Sequence, residues 1–140
     1  MQLCAPLHEE TLERLRARLT DVRIVAVVHV TGPESRIRAR AVAVHADAIL
    51  LDSGLPAGSP SGTAIELGGT GRTHDWRFSR LIRDEVPVPV LLAGGLDPGN
   101  VRAAIEAVRP HGVDVCSGLR VDGDLDLASL RAFIAAVGAA

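Results

Sequence analysis

The stretch PVPVLLAGGLDPGN, residues 87–100, decides the fold class of this chain. Its first part, residues 87–93, is a short apolar run rich in Val and Leu, which predicts a buried strand. Gly94-Gly95 then predicts a sharp turn. Asp97-Pro98 predicts the start of a helix, because Asp is favoured at the cap and Pro in the first turn. A strand that leads through a turn into a helix is one βα unit.

The same alternation runs along the rest of the chain. The predicted strands are residues 1–4, 23–30, 48–51, 87–93 and 112–116, and helices are predicted at 8–19, after 31–34, at 75–84, after 97–98 and at 126–137. Strands separated by helices predict a parallel sheet. The fold class is therefore α/β with about five parallel βα units, either as a doubly wound layer or as part of a barrel.

The spacing of apolar residues also predicts which face of each helix meets the sheet. The residues expected to face inward are Leu12, Leu15 and Leu19; Ile37, Ala41 and Val44; Phe78, Leu81 and Ile82; Val101, Ile105 and Val108; and Leu127, Leu130, Ile134 and Val137.

Composition limits the class of protein. A length of 140 residues predicts a single domain, residues 1–140, and a hydrophobic content of 47% supplies its core. A net charge of -2 gives no reason to expect nucleic acid or a membrane surface as a partner. The start of the chain predicts no signal peptide, and Cys4 and Cys116 do not form a disulfide framework, so we expect a cytoplasmic protein. Both cysteines are expected to be small apolar fillers.

Candidate site residues follow the predicted strands, because ligands of parallel α/β folds bind at the carboxyl ends of the strands. Asp52 ends the third strand, and Gly94-Gly95 and Ser117-Gly118 follow the next two, as in a phosphate cradle. A plain turn is the alternative for the glycines, and a cap is the alternative for Asp52. His29 is expected to be a partly buried histidine whose hydrogen bonds are satisfied, with a role as a ligand as the alternative. The spacing of the five histidines predicts no metal site.

Four motifs together resemble one known family. They are LLDSG (50–54), GGTGRTHDW (68–76), LLAGGLDPGNVRAAI (91–105) and GVDVCSGLR (112–120), and MQLCA (1–5) stands where the family's fourth strand begins. In this order and spacing they resemble the second half of phosphoribosylanthranilate isomerase, over nearly the whole chain. The resemblance implies a (β/α)₈ barrel of which this chain supplies the last five units. It also implies an Amadori rearrangement of N-(5-phosphoribosyl)anthranilate in tryptophan biosynthesis, with no cofactor.

The resemblance implies roles for individual residues. Asp52 would be the general acid, with a pKa raised so that the carboxyl keeps its proton near neutral pH. The residues that would contact the phosphorylated sugar are Gly68, Gly69 and Gly71 in the long loop and Gly94, Gly95, Ser117 and Gly118 at the phosphate.

The sequence also departs from the family pattern. The family's general base is a cysteine on the first strand, which has no counterpart here, and Cys4 stands where the family usually has His. Arg120 stands where the family often has Glu. Three interpretations follow: a longer protein whose start has been placed too late, a barrel completed by a homodimer or a separate partner, or a non-catalytic phosphosugar-binding or regulatory paralogue.

Overall fold

The computed structural model of the chain describes residues 1–5, 8–53 and 73–140. Five parallel strands form its central sheet: β1 (Gln2–Leu3), β2 (Val25–Val30), β3 (Ala48–Ser53), β4 (Val90–Leu92) and β5 (Gly112–Val113). The helices are α1 (Glu9–Arg18), α2 (Ser35–Ala43), α3 (Trp76–Glu85), α4 (Val101–Val108) and α5 (Leu127–Gly138). After β5 come a 3₁₀ turn, Ser117–Leu119, and a two-stranded hairpin, β6 (Arg120–Val121) and β7 (Asp124–Leu125).

Strand order settles the choice between a doubly wound layer and a barrel segment. The order across the sheet is β1-β2-β3-β4-β5, so each new strand is added on the same side of the previous one. A doubly wound sheet reverses its strand order at a switch point, whereas a barrel does not. The predicted α/β fold of barrel-type βα units is confirmed, although the described residues form an open sheet and not a closed barrel.

One face of this sheet packs against the helices. Val28, Leu51 and Leu92 alternate with residues of the opposite face and are almost fully buried. They share a hydrophobic core with Ile82 of α3 and Phe133 of α5. The core therefore lies between the sheet and α2 to α5, which leaves the C-terminal strand ends available for a site. No helix in the described ranges is long and apolar enough to span a bilayer.

The predicted inward face of α2 is wrong. Ile37 and Val44 are exposed, and the buried residues are Ser35, Ala39 and Ala43. Small side chains at i and i+4 let a helix approach its neighbours closely, so this helix packs through its alanines and turns its bulky residues outward.

The predicted faces of α3 and α5 are partly wrong. Ile82 is fully buried, but Leu81 is 41% exposed. On α5, Leu127 and Ile134 are exposed, while Phe133, which the pattern did not select, is buried. Leu130 and Val137, the other two predicted residues of α5, do pack against the core. The stripe at 130, 133 and 137 places the large aromatic ring in the core.

Candidate functional site

The strand register places an apolar row just below the C-terminal edge of the sheet. In this row four residues are partners across β2, β3, β4 and β5: Val27, Leu50, Leu91 and Gly112. They belong to the face opposite the helices, because the residues between them along each strand enter the helix-side core.

A polar row follows two residues further along the strands. His29 of β2 is the register partner of Asp52 of β3. Asp114 directly follows β5, and its backbone N–H donates to the carbonyl of Leu92 at 2.9 Å. Alternation puts all three side chains on the same face as the apolar row. Asp114 was missed by the sequence analysis, although its place two residues after Gly112 in GVDVC is a signal that could have revealed it.

Asp52 combines partial burial with a specific hydrogen bond. Its Oδ1 accepts from the backbone N–H of Ser53 at 2.8 Å. Burial raises the pKa of the Asp52 carboxyl, and the negative charge of Asp114 acts in the same direction, whereas the Ser53 N–H and His29 lower it. Because burial has the largest effect, this carboxyl retains its proton to a higher pH than an ordinary Asp, as a general acid requires.

A small cleft of about 50 Å³ connects Asp52 to the loops after β4 and β5. Its wall consists of Asp52, Ala93, Gly94, Gly95, Leu96, Asp114, Val115, Cys116 and Ser117. The structure thus brings together Asp52 and three of the predicted phosphate-binding residues. The fourth, Gly118, is not in the wall. The volume suits one small group rather than a whole ligand, for which pockets are typically about 300–1,000 Å³.

Packing between the loops explains why two of these positions are glycine. Gly94 has a φ of +85°, and a Cβ there would lie 2.5 Å from the backbone nitrogen of Ser53. A Cβ on Gly118 would lie 2.0 Å from the carbonyl oxygen of Leu96. The backbones approach so closely that no side chain fits, and the turn and the cradle interpretations are therefore compatible.

The loop after β4 is held by Asn100, a residue that the sequence analysis did not select. Its Nδ2 donates to the carbonyl of Gly95 at 2.8 Å, and its Oδ1 accepts from the N–H of Asp97 at 3.0 Å. Asp97 in turn accepts from the N–H of Gly99 at 2.7 Å. Asp97 therefore caps the turn that precedes α4, which begins at Val101.

Donors remain at the rim of the cleft. Among the described residues, no acceptor pairs with the backbone N–H of Gly94, Gly95 or Ser117. Backbone N–H groups that converge on one concavity are a common way to bind an anion.

Other predicted residues have mixed outcomes. Gly68, Gly69 and Gly71 lie outside the described residues. Cys4 and Cys116 are exposed, so the expectation that they fill the core is wrong.

The expectation for His29 is also wrong. The residue is buried, but neither ring nitrogen has a hydrogen-bond partner in the described part of the chain.

His74 lies near a second cavity, at the N-terminal end of α3. Its Nε2 is paired with the hydroxyl of Ser79, and burial lowers the pKa of His74 to about 4, with an opposing effect of the Asp75 charge. The cavity, about 670 Å³, shares no wall residue with the cleft at Asp52. Within the described ranges, no three His, Cys, Asp or Glu residues are grouped as metal ligands.

The sequence of this chain matches a model of the N-(5'phosphoribosyl)anthranilate (PRA) isomerase family over residues 5–136. The chain belongs to the phosphoribosylanthranilate isomerase family. The family member of Methanocella arvoryzae, an N-(5'-phosphoribosyl)anthranilate isomerase, is 42% identical over 135 residues, which are 96% of this chain and 59% of the relative. The Haloferax volcanii enzyme of the same name is 43% identical over 97% of this chain and 56% of the relative. The chain thus spans less than three fifths of the length of these two relatives.

Solved structures of the family share the fold. The phosphoribosyl anthranilate isomerase of Thermotoga maritima superposes with a TM-score of 0.77 at 31% identity, over 99% of this chain and 61% of the other. A complex of phosphoribosyl anthranilate isomerase with reduced 1-(o-carboxyphenylamino)-1-deoxyribulose 5-phosphate has a TM-score of 0.72 at 28% identity, over 99% and 59% of the two chains.

Proposed function

We propose that this chain supplies the general acid and the phosphate-binding part of a phosphoribosylanthranilate isomerase. The reaction would be the Amadori rearrangement of N-(5'-phosphoribosyl)anthranilate in tryptophan biosynthesis. The observation that carries the proposal is the half-buried Asp52, whose raised pKa and position in the cleft fit a proton donor. Family membership supports it, as does the similarity to the complex with reduced 1-(o-carboxyphenylamino)-1-deoxyribulose 5-phosphate.

In the proposed mechanism, Asp52 gives its proton to the ring oxygen of the sugar as the ring opens. The charge that the carboxylate then acquires is stabilised by the Ser53 N–H at 2.8 Å. Asp114 favours return of the proton, since its own charge raises the pKa of Asp52. Asp52 would then be ready for the next turnover.

The phosphate would bind at the loops after β4 and β5. The donors that line the cleft are the N–H groups of Gly94, Gly95 and Ser117, and the N–H group of Gly118, which lies outside the cleft wall, is proposed as a fourth donor. Adjacent strands of a sheet lie about 4.8 Å apart, so the cradle begins one strand away from Asp52. A phosphate fixed there would hold the sugar ring next to the carboxyl of Asp52. The phosphate site would thus contribute to catalysis by orienting the substrate. Gly68, Gly69 and Gly71 are proposed to close over the bound substrate.

The base that removes the C2 proton is proposed to come from the N-terminal part of the barrel. The resemblance implies a cysteine for this step, and neither Cys4 nor Cys116 stands at the corresponding strand. A separate polypeptide that carries the first strand would supply it, because a second copy of this chain brings only Cys4 and Cys116. Proton abstraction contributes about 10²–10⁴-fold to such rates, so turnover by this chain alone is expected to be slow.

The test is an assay of substrate fluorescence. The purified chain is mixed with N-(5'-phosphoribosyl)anthranilate, and loss of the fluorescence of the anthranilate group is followed. Turnover that disappears in Asp52→Asn and persists in Asp124→Asn, a control on the exposed hairpin, supports the proposal. Binding of the reduced deoxyribulose phosphate without turnover would support the alternative, a non-catalytic phosphosugar-binding paralogue. Absence of both binding and turnover would refute both functions.

A further inference from the structure

His29 is buried without the hydrogen bonds that a buried imidazole needs. Its residue exposure is 7%, and both Nδ1 and Nε2 lack a partner among the described residues. The backbone carbonyl of His29 does have a partner, because it accepts from the hydroxyl of Ser35 at 3.2 Å. The unpaired atoms therefore belong to the ring alone.

Unpaired buried polar atoms are rare in folded proteins, and each one lowers stability unless something binds it. The nearest residue of β2 on the same face as His29 is Val27, an aliphatic residue that pairs in register with Leu50. A Leu or Val at position 29 would have no unpaired ring nitrogen. The imidazole is thus better explained by a ligand than by packing.

The position of the His29 ring indicates which part of the ligand it would contact. His29 is the register partner of Asp52, so the two side chains stand side by side at the C-terminal edge of the sheet. The phosphate cradle lies on the other side of Asp52, at the loops after β4 and β5. A ligand bound by its phosphate at β4 and β5 and by Asp52 at β3 would reach β2 with its sugar.

The chemistry of the ring points to a hydroxyl group. A neutral imidazole offers one donor and one acceptor, and a sugar hydroxyl also both donates and accepts. A phosphate oxygen only accepts, and the cradle already occupies that end of the ligand.

We propose that His29 hydrogen-bonds a sugar hydroxyl of the substrate, next to the ring oxygen that Asp52 protonates. This inference rests on the proposed function of the Asp52 cleft. His29 would position the sugar and select ligands that carry a hydroxyl at that place. Its own role requires no proton transfer.

The experiment compares His29→Leu with wild type and with His45→Leu. His45 is a partly buried histidine at the turn between α2 and β3, and its Nε2 lies 4.0 Å from Glu9 rather than in the cleft. Binding of reduced 1-(o-carboxyphenylamino)-1-deoxyribulose 5-phosphate is measured by calorimetry, and inorganic phosphate is tested as a competitor. Thermal unfolding of each free protein is measured in parallel.

His29→Leu is expected to bind the sugar phosphate about tenfold more weakly, which corresponds to the loss of about 1.4 kcal/mol. Competition by inorganic phosphate is expected to stay the same, and His45→Leu is expected to bind like wild type. The free His29→Leu protein should unfold about 3 °C higher, because two unpaired polar atoms are removed. A merely structural histidine would not produce weaker binding together with a more stable fold.

Two results would overturn the inference in different ways. Equal binding by wild type and His29→Leu would refute the role of His29 and leave the function of the cleft standing. Failure of the wild-type chain to bind the sugar phosphate would refute the proposed function, and the inference with it. If His29→Leu does not fold, His29→Gln replaces it in the binding experiment. Gln keeps one donor and one acceptor, so the inference then requires that the affinity for the sugar phosphate falls by more than twofold but less than tenfold.

Discussion

Substitution of Gly94 by Ala tests whether the loops of the cleft are as tightly packed as the structure indicates. The new Cβ would lie 2.5 Å from the nitrogen and 2.8 Å from the Oγ of Ser53, at a φ of +85°. Both the backbone conformation and the space are therefore unfavourable for any side chain. The conformation alone costs about 1–2 kcal/mol for an L-residue, and overpacking adds about 1–3 kcal/mol.

Two other glycines separate these effects. Gly123, in the hairpin turn, has a φ of +89° with nothing within 4 Å of an added Cβ, so Gly123→Ala carries only the conformational cost of about 1–2 kcal/mol. Gly118 meets the carbonyl of Leu96 at 2.0 Å, so Gly118→Ala carries mainly the steric cost of about 3 kcal/mol. Gly94→Ala combines both effects, and we expect a loss of about 3–4 kcal/mol.

The assay is urea unfolding of the four proteins, with thermal unfolding as a second readout. The expected order of stability is wild type, Gly123→Ala, Gly118→Ala and Gly94→Ala. A loss of about 3–4 kcal/mol in the free energy of unfolding lowers the midpoint of thermal unfolding by about 10 °C in a chain of this size. If Gly94→Ala and Gly118→Ala were no less stable than Gly123→Ala, the loops would not be in contact, and the argument for a preformed cradle would fail.

Three further predictions concern single side chains, each measured as a free energy of unfolding. Asp52→Asn should be more stable than wild type at pH 7. Because the pKa of Asp52 is raised in the folded protein, the wild-type protein loses stability as the pH rises from about 3.8 through that folded pKa, and the stability difference between the two proteins should vanish at lower pH. A stability difference that stays constant from pH 3 to 7 would contradict this. As the pH falls from 7.5 to 4, the free energy of unfolding of His74→Phe should rise by about 3 kcal/mol relative to that of wild type. The reason is that His74 is protonated in the unfolded wild-type chain below pH 6.5 but in the folded protein only near its pKa of about 4, which favours unfolding between these values. Parallel stability profiles of the two proteins over this pH range would refute the burial of this ring. Asp126→Ala removes the cap whose Oδ2 accepts from the Ser129 N–H at 2.8 Å and should cost about 1 kcal/mol, while a cost near zero would show that the cap does not hold α5.

The fold was largely predictable because the features that specify it are local. Alternating apolar runs and helix starts such as Asp97-Pro98 identified the five βα units, and Asp75 does cap α3, accepting from the N–H of Arg77. The β6–β7 hairpin was not predicted, although Asp122-Gly123 is a typical turn pair and both residues have a positive φ. That turn signal was present in the sequence and was overlooked.

Helix orientation was less predictable because it depends on close contacts between elements. On α2 the alanines at 39 and 43 face the core and Ile37 faces outward, so hydrophobicity alone selects the wrong face. The size of a side chain decides which face fits, and size matters only once the distance between helix and sheet is known. On α5 the bulkier residue is the buried one, since Phe133 enters the core and Ile134 is exposed.

The polar row of the site follows from the strand register, because the register decides which side chains lie next to one another at the edge of the sheet. Val27, Leu50 and Gly112 belong to one apolar row, and the residues two positions later along the chain are His29, Asp52 and Asp114. A slip of one residue would turn each of these side chains into the helix-side core, where burial of a carboxylate is very costly. The same pairs that pack the sheet therefore also align the acid, the neighbouring carboxylate and the imidazole. Once the apolar row is known, counting two residues onward finds all three, and on β4 the same step from Leu91 gives Ala93, which lines the cleft.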